Sequence, residues 1–238
     1  MNNLIRADLG RILKKISFYI LPAAAIAILA LWPDADNAAD QVEGLRHYIN
    51  YAALLLICIA VYLNVYSDEL KSGRMISVIG SGLSRRRIIL AKLADSALIF
   101  TLFFAVVYAL VFLKNRAAGI GVTPRQNLLL LICCVYTVIK GIGFVAFSSL
   151  AVYTAWNTSA GMVFLVLGIP LSRLFLSALQ EQLSLPLYDL SFEGLLESSY
   201  TGIAAGNSGW QIIPAVGIYL CGVIALSVYL FNRKEISL

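Results

Sequence analysis

The chain has 238 residues, is 60% hydrophobic and only 13% charged, and its mean hydropathy is +0.84. A soluble domain carries about a quarter charged residues, so this balance excludes an ordinary water-soluble globule and points to lipid as the solvent. The net charge of +5 does not mark a nucleic-acid binder, because the cations are distributed as a membrane topology distributes them.

The N-terminal stretch MNNLIRADLGRILKKI places Leu4, Ile5, Leu9, Ile12, Leu13 and Ile16 on one helical face and Arg6, Arg11, Lys14 and Lys15 on the other. That is the pattern of an amphipathic helix lying in the headgroup plane, expected over residues 1–15. The same start, followed by ISFYILPAAAIAILALW, also resembles a secretory signal. The apolar run is long and five more follow it, so a retained first span is expected. Six segments, approximately 16–33, 49–66, 93–113, 127–149, 159–176 and 210–231, satisfy the need for about 20 apolar residues to cross a core of about 30 Å. Pro22, Gly141, Gly143, Pro170, Pro214 and Gly217 fall inside them, which a membrane bundle tolerates.

Of the 18 Lys/Arg residues, 12 lie in residues 1–15, 67–92, 150–158 and 232–238, and four in the alternating segments 34–48, 114–126 and 177–209. Excess Lys/Arg marks cytoplasmic loops, so both termini and the 67–92 loop are expected in the cytoplasm. Within that loop, Asp68, Glu69 and Lys71 open a segment whose Leu70, Met75, Ile76 and Ile79 recur at near-helical spacing. The GSG at 80–82 breaks it, and Ser84 is placed to cap the next helix. A short amphipathic helix is therefore expected between two spans, presenting an apolar ridge and charges to the cytoplasm. Arg85, Arg86 and Arg87 also read as a topology anchor at anionic headgroups.

Further along, Lys140 sits about 13 residues into the fourth span beside Gly141 and Gly143. A lysine at that depth costs about 2.5–3.5 kcal/mol on insertion scales, so it is expected either in the bundle interior, at an interface or pathway, or snorkelling to the headgroups. Arg173 is the second cation inside a span, and no carboxylate is expected at a depth comparable to that of Lys140, Asp95 being at the cytoplasmic edge of the third span. His47 reads as an interfacial polar group. Cys58, Cys133, Cys134 and Cys221 fall in apolar runs without CxxC spacing and read as small buried hydrophobes. The chain has no Gly-Lys dipeptide, which excludes a GxxxxGK[ST] phosphate loop. It also lacks HExxH and GxSxG, so no catalytic machinery of its own, bound cofactor or metal site is expected.

The loop residues Glu69, Gly73, Arg74, Gly82, Ser84, Arg85, Arg86, Ile88, Ala91 and Lys92 resemble the first cytoplasmic loop of the membrane (permease) subunits of type-2 ABC exporters. The basic N-terminal helix, the six spans, the long loop before the last span and the short basic tail FNRKEISL are also similar. The resemblance implies an all-α membrane protein with an elbow helix at 1–15, one six-span domain over 16–238, a coupling helix in 67–92 and short outer re-entrant helices in 177–209. It implies docking of a separate ATPase, in two copies, on Asp68, Glu69, Lys71, Gly73, Arg74, Ile76 and Arg85, with ATP and Mg bound by that partner and not by this chain. It further implies a second permease subunit, a homodimer mate or a paralogue, in a bacterial plasma membrane, and an amphipathic or antimicrobial peptide as exported substrate. An ion-coupled secondary transporter and a non-transporting assembly or immunity protein remain the alternatives at this stage.

Overall fold

The computed structural model describes residues 2–67, 80, 83–155 and 157–233, and among these every regular element is helical. Helix α1 spans Asn2–Ile12 and α2 spans Ile16–Leu31, the two bent by 69° at the break between them. Then follow α3 (Ala38–Ser67), α4 (Arg85–Ala117), α5 (Pro124–Ala155), α6 (Thr158–Leu183), α7 (Phe192–Ala204) and α8 (Ile213–Arg233). Five of these, α3, α4, α5, α6 and α8, are long and apolar enough to cross a membrane, and the bent α1–α2 pair makes a sixth candidate.

Local chemistry explains where the helices start. Asn37 caps α3, its side chain accepting from the Asp40 N–H at 2.9 Å. Thr123 and Gln126 bracket the start of α5 reciprocally: Gln126 N–H donates to Thr123 Oγ1 at 3.3 Å and Thr123 N–H to Gln126 Oε1 at 2.8 Å, a capping box with Pro124 at the first helical position. Asn157 caps α6 through the Ser159 N–H and Ser191 caps α7 through the Gly194 N–H. Ser84 holds the N-cap position of α4, but its side chain makes no capping bond; its carbonyl instead accepts from the Arg87 and Ile88 N–H groups.

Several expected boundaries are corrected. The helix that holds the apolar run 49–66 starts well before it, at Ala38, because the polar segment AADQVEGLRHY is capped and helically continuous with that run. Residues 150–155 belong to a helix instead of a loop, and the helix after Ser84 starts at Arg85, where the placement of that serine predicts it. Hydropathy marks only the lipid-matched part of a helix, whereas backbone hydrogen bonding carries on until a cap ends it. The N-terminal helix stops at Ile12 instead of 15, so Leu13 and Ile16 leave its inner face and are 48% and 84% exposed. Among the residues of this helix whose burial is described, Asp8 and Ile12 are buried. Cys221 is exposed, unlike Cys58, Cys133 and Cys134, which are buried.

Helix α5 forms the centre, packed against α3, α4, α6, α7 and α8. Aromatic side chains fill the space around it, Tyr48, Tyr62, Phe100, Phe104, Tyr153 and Phe231 being fully buried. Two of their polar tips reach backbone carbonyls: Tyr48 OH donates to that of Ala25 and Tyr62 OH to that of Thr158, both at 2.6 Å. Large apolar side chains such as Leu102, Leu174, Phe175 and Ile218 are 63% to 73% exposed, a surface consistent with a multi-pass membrane bundle. One end of the bundle gathers Arg85 beside the last turn of α8; the other gathers Arg125, which donates to the Ala204 carbonyl at 3.2 Å. Helix α7 therefore rises to the Arg125 end from a starting point deep beside the middle of α5.

Candidate functional site

The depth at which α7 begins is set by glycines. Phe192, its first residue, lies against Gly143 of α5, where a Cβ would overlap the ring. Gly194 approaches the Tyr188 carbonyl too closely for any side chain. Phe192 also meets Phe147 edge-on, ring centroids 5.9 Å apart. These contacts carry Glu193 to the level of Lys140, which is near the midpoint of α5.

Lys140 is 9% exposed, and its Nζ lies 2.6 Å from Glu193 Oε1. The same oxygen is 3.3 Å from Arg173 Nη1 of α6, and Arg173 Nη2 is 3.3 Å from Glu197 Oε2, one turn further along α7. Aromatic groups complete the cluster. Lys140 Nζ lies 5.6 Å and 5.5 Å from the ring centroids of Tyr51 and Phe144, and the Arg173 guanidinium 5.6 Å and 5.4 Å from those of Tyr51 and Tyr188, distances at which ring quadrupoles attract cations. Arg173 Nη1 donates to Tyr51 OH at 2.7 Å, and Tyr188 OH donates to Glu197 Oε2 at 2.7 Å. Burial and that bond to Glu197 both hold the Tyr188 phenol well above its usual pKa, so it remains a donor at neutral pH.

The cluster thus contains two cations and two carboxylates, a neutral set in which each charge has an opposite neighbour. Expecting no carboxylate at Lys140's depth was wrong. The carboxylates come from α7, a short helix outside the spans, and only its dip along α5 brings them there. Of the three π-helical turns among the described residues, Ile49–Ala53 of α3 holds Tyr51, Phe164–Gly168 precedes Arg173 on α6, and Leu63–Ser67 ends α3. Turns of this type widen a helix locally and recur at functional sites. Asn50 in the first turn donates to Cys133 Sγ at 3.3 Å and accepts from Thr137 Oγ1 at 3.1 Å, linking α3 to α5.

Three cavities meet at these charges. A small polar one of about 40 Å³ is bounded by Arg46, His47, Asn50, Lys140, Glu193 and Glu197 among others. An apolar groove of about 560 Å³ runs between α3 and α6 and reaches Lys140 and Arg173. Another, of about 490 Å³, lies between α6, α7 and α8 and reaches Arg173 and Glu193.

Among the residues expected to be functional, Lys140 is at the centre of this site. Arg85 is at the far end, half-buried, its Nη1 donating to the Phe231 carbonyl and, at 3.2 Å, to that of Asn232, so it caps the last turn of α8. Asp68, Glu69, Lys71, Gly73, Arg74 and Ile76 lie outside the described residues. Glu193, Glu197, Tyr51 and Tyr188 are the residues that sequence reading missed, and Arg173 was noted without a role. The i,i+4 carboxylates of SFEGLLESSY and the arginine in an apolar span were the available signals. Among the described residues no group of three or more His, Cys, Asp or Glu side chains could hold a metal ion. Comparisons of the chain with protein-family models, with curated proteins and with solved structures return no match.

Proposed function

We propose that the chain is the permease subunit of an ATP-driven type-2 ABC exporter, paired with a second membrane subunit and powered by separate ATPase subunits. The observation that carries this reading is the layout: a basic amphipathic helix bent 69° from the first apolar helix, and a short helix dipping beside the core just before the last span. The loop resemblance around Glu69 and Arg74 supports the same reading. ATP and Mg belong to the partner, because this chain has no phosphate loop. An amphipathic peptide is the substrate we assign.

The test is purification of the chain from its native membrane in mild detergent, followed by measurement of vanadate-sensitive ATP hydrolysis in the complex. Wild type should carry that activity, and a Glu69→Ala, Arg74→Ala double variant should lose it or uncouple it from peptide export while still inserting. Unchanged hydrolysis and export in the double variant would overturn the docking assignment.

A second reading, an ion-coupled secondary transporter, draws its support from the Lys140–Glu193 pair at the middle of a membrane-length helix, since ionisable groups there mark ion and proton routes. Purified chain alone in proteoliposomes separates the two. Uptake driven by an imposed ion gradient without ATP supports the second reading; strict dependence on the ATPase supports the first.

A further inference from the structure

A carboxylate seated between a lysine and an arginine at the end of an apolar groove is what a receptor for a carboxylate amphiphile requires. Here the protein's own Glu193 occupies that seat, 2.6 Å from Lys140 and 3.3 Å from Arg173. The groove leading away has a volume of about 560 Å³, with walls that include Leu55, Leu165, Ile169 and Leu174 and with Lys140 and Arg173 at its polar end. Its size and its mix of apolar wall with a few fixed polar groups match small-molecule sites, which span roughly 300–1,000 Å³. Glu193 also borders the small polar cavity with Arg46, His47 and Asn50. At about 40 Å³ that space admits water, which needs about 10–15 Å³ per molecule.

We propose that the groove binds a membrane-dissolved single-chain carboxylate, its head replacing Glu193 between Lys140 and Arg173 and its alkyl chain filling the groove. Glu193 then turns into the polar cavity towards Arg46 and His47. At Lys140 and Arg173 the charge is unchanged, since one carboxylate leaves the two cations as another arrives and Glu197 remains on Arg173; the displaced Glu193 carries its own charge into the polar cavity, where Arg46 faces it. Arg46 is paired with Glu43, its Nε donating at 2.7 Å, and its guanidinium has five N–H donors in all, so it has capacity for a second acceptor. An alkyl chain fits where a peptide does not. The groove wall is almost entirely carbon, and peptide N–H and C=O groups buried there would lack partners, which is costly. Entry is lateral, past Leu55 and Leu174, which are 42% and 66% exposed. Because the exchange removes Glu193 from Lys140, occupancy and the position of the α7 start are linked equilibria. None of this depends on which energy source drives transport.

The test uses the full chain in nanodiscs of zwitterionic lipid at mildly alkaline pH, with radiolabelled palmitate, its methyl ester and acetate as probes. Wild type should bind palmitate saturably, the ester at least about tenfold more weakly, the weight of one charge-assisted hydrogen bond, and acetate, which keeps the charge but lacks the chain that fills the groove, at least about tenfold more weakly as well. Glu193→Gln should bind palmitate about tenfold more tightly, since the internal competitor has lost its charge, and Lys140→Met about tenfold more weakly. Ester binding equal to acid binding in wild type would overturn the proposal, and that comparison needs no variant. A folded Glu193→Gln protein with unchanged or weakened palmitate affinity would overturn it as well.

Discussion

Two buried lysines invite comparison. Lys92 of α4 and Lys140 of α5 each lie 2.6 Å from a carboxylate of a short helix, Asp8 of α1 in one case and Glu193 of α7 in the other. The Lys92 side chain is 3% exposed and its partner 12%; Asp8 also lies 3.9 Å from Arg11 of its own helix, and these charges sit beside buried Ile12 where α1 packs on α4. The Lys140 side chain is 11% exposed, but its carboxylate is shared with Arg173, 30% exposed, which in turn holds Glu197 at 39%. Exposure thus rises step by step outward from Lys140, and cavities border the chain of contacts. The same bond length serves two roles. Asp8, with its second cation on its own helix, fastens one helix to another, whereas Glu193, bridging cations of two other helices beside open volume, can be exchanged or rearranged.

The largest expected effect lies at the shared site. Glu193→Ala leaves Lys140 uncompensated in the interior and should cost about 3–5 kcal/mol, the usual penalty for breaking a buried pair. Lys140→Met should cost clearly less, because Glu193 keeps Arg173, and the Lys140→Met, Glu193→Leu double variant should regain much of the loss. Thermal unfolding in detergent reports all three. Equal costs for the two single variants would mean that Glu193 is not shared, and the contrast with Lys92 would collapse.

At the α1–α4 contact, Asp8→Asn keeps the shape but removes the charge facing Lys92. It should cost about 1.5–3 kcal/mol, the range for hydrogen bonds to charged groups, and loosen α1 from α4. Hydrogen exchange should rise in α1 while palmitate binding at the distant groove stays as in wild type. A change in that binding would show that the two pairs communicate.

Gly143→Ala sharpens the comparison from the backbone side, because the new Cβ meets the Phe192 ring. Overpacking of this kind costs about 1–3 kcal/mol, and it should displace the α7 start so that Glu193 no longer reaches Lys140. A cysteine at Glu193 should then react faster with a water-soluble thiol reagent in the Gly143→Ala background than without it. Unaltered labelling would mean that α7 is positioned by other contacts.

The smallest effect is expected at the outer rim. Tyr188→Phe removes the donor to Glu197 and should cost about 1 kcal/mol. Burial and Glu197 raise the Tyr188 pKa in the folded state, above the unfolded value of about 10. The resulting stabilisation is therefore complete below about pH 10 and is lost as pH rises towards the folded-state value, where the phenol ionises. Unfolding temperature followed into the alkaline range should fall less steeply in Tyr188→Phe than in wild type, and parallel curves would remove the phenol from the cluster.

Much of the fold was legible because hydropathy is a local sum. Five apolar runs map onto helices of membrane length, and the break after the basic N-terminal helix falls close to where the pattern places it. The helix ends were less legible: α3 extends back to Ala38 through a polar turn that a cap at Asn37 makes helical. Lys140 stood out as a charge in an apolar run. Its partners did not, since Glu193 and Glu197 belong to a polar segment whose composition is equally that of an exposed loop.

What the sequence determined by itself, then, is solvent and periodicity: enough apolar length for membrane-spanning helices, a bend after α1, and two cations at interior depth, Lys140 and Arg173. These follow from neighbouring residues along one chain segment. The tertiary structure alone decided that α7 dips beside α5, that Phe192 rests on Gly143, and that Glu193 thereby reaches both cations. The physical reason is that the depth of a short helix is set by the steric and electrostatic fit of its side chains to helices distant in sequence. Such a fit has no local signature, because each contributing residue is ordinary in its own segment.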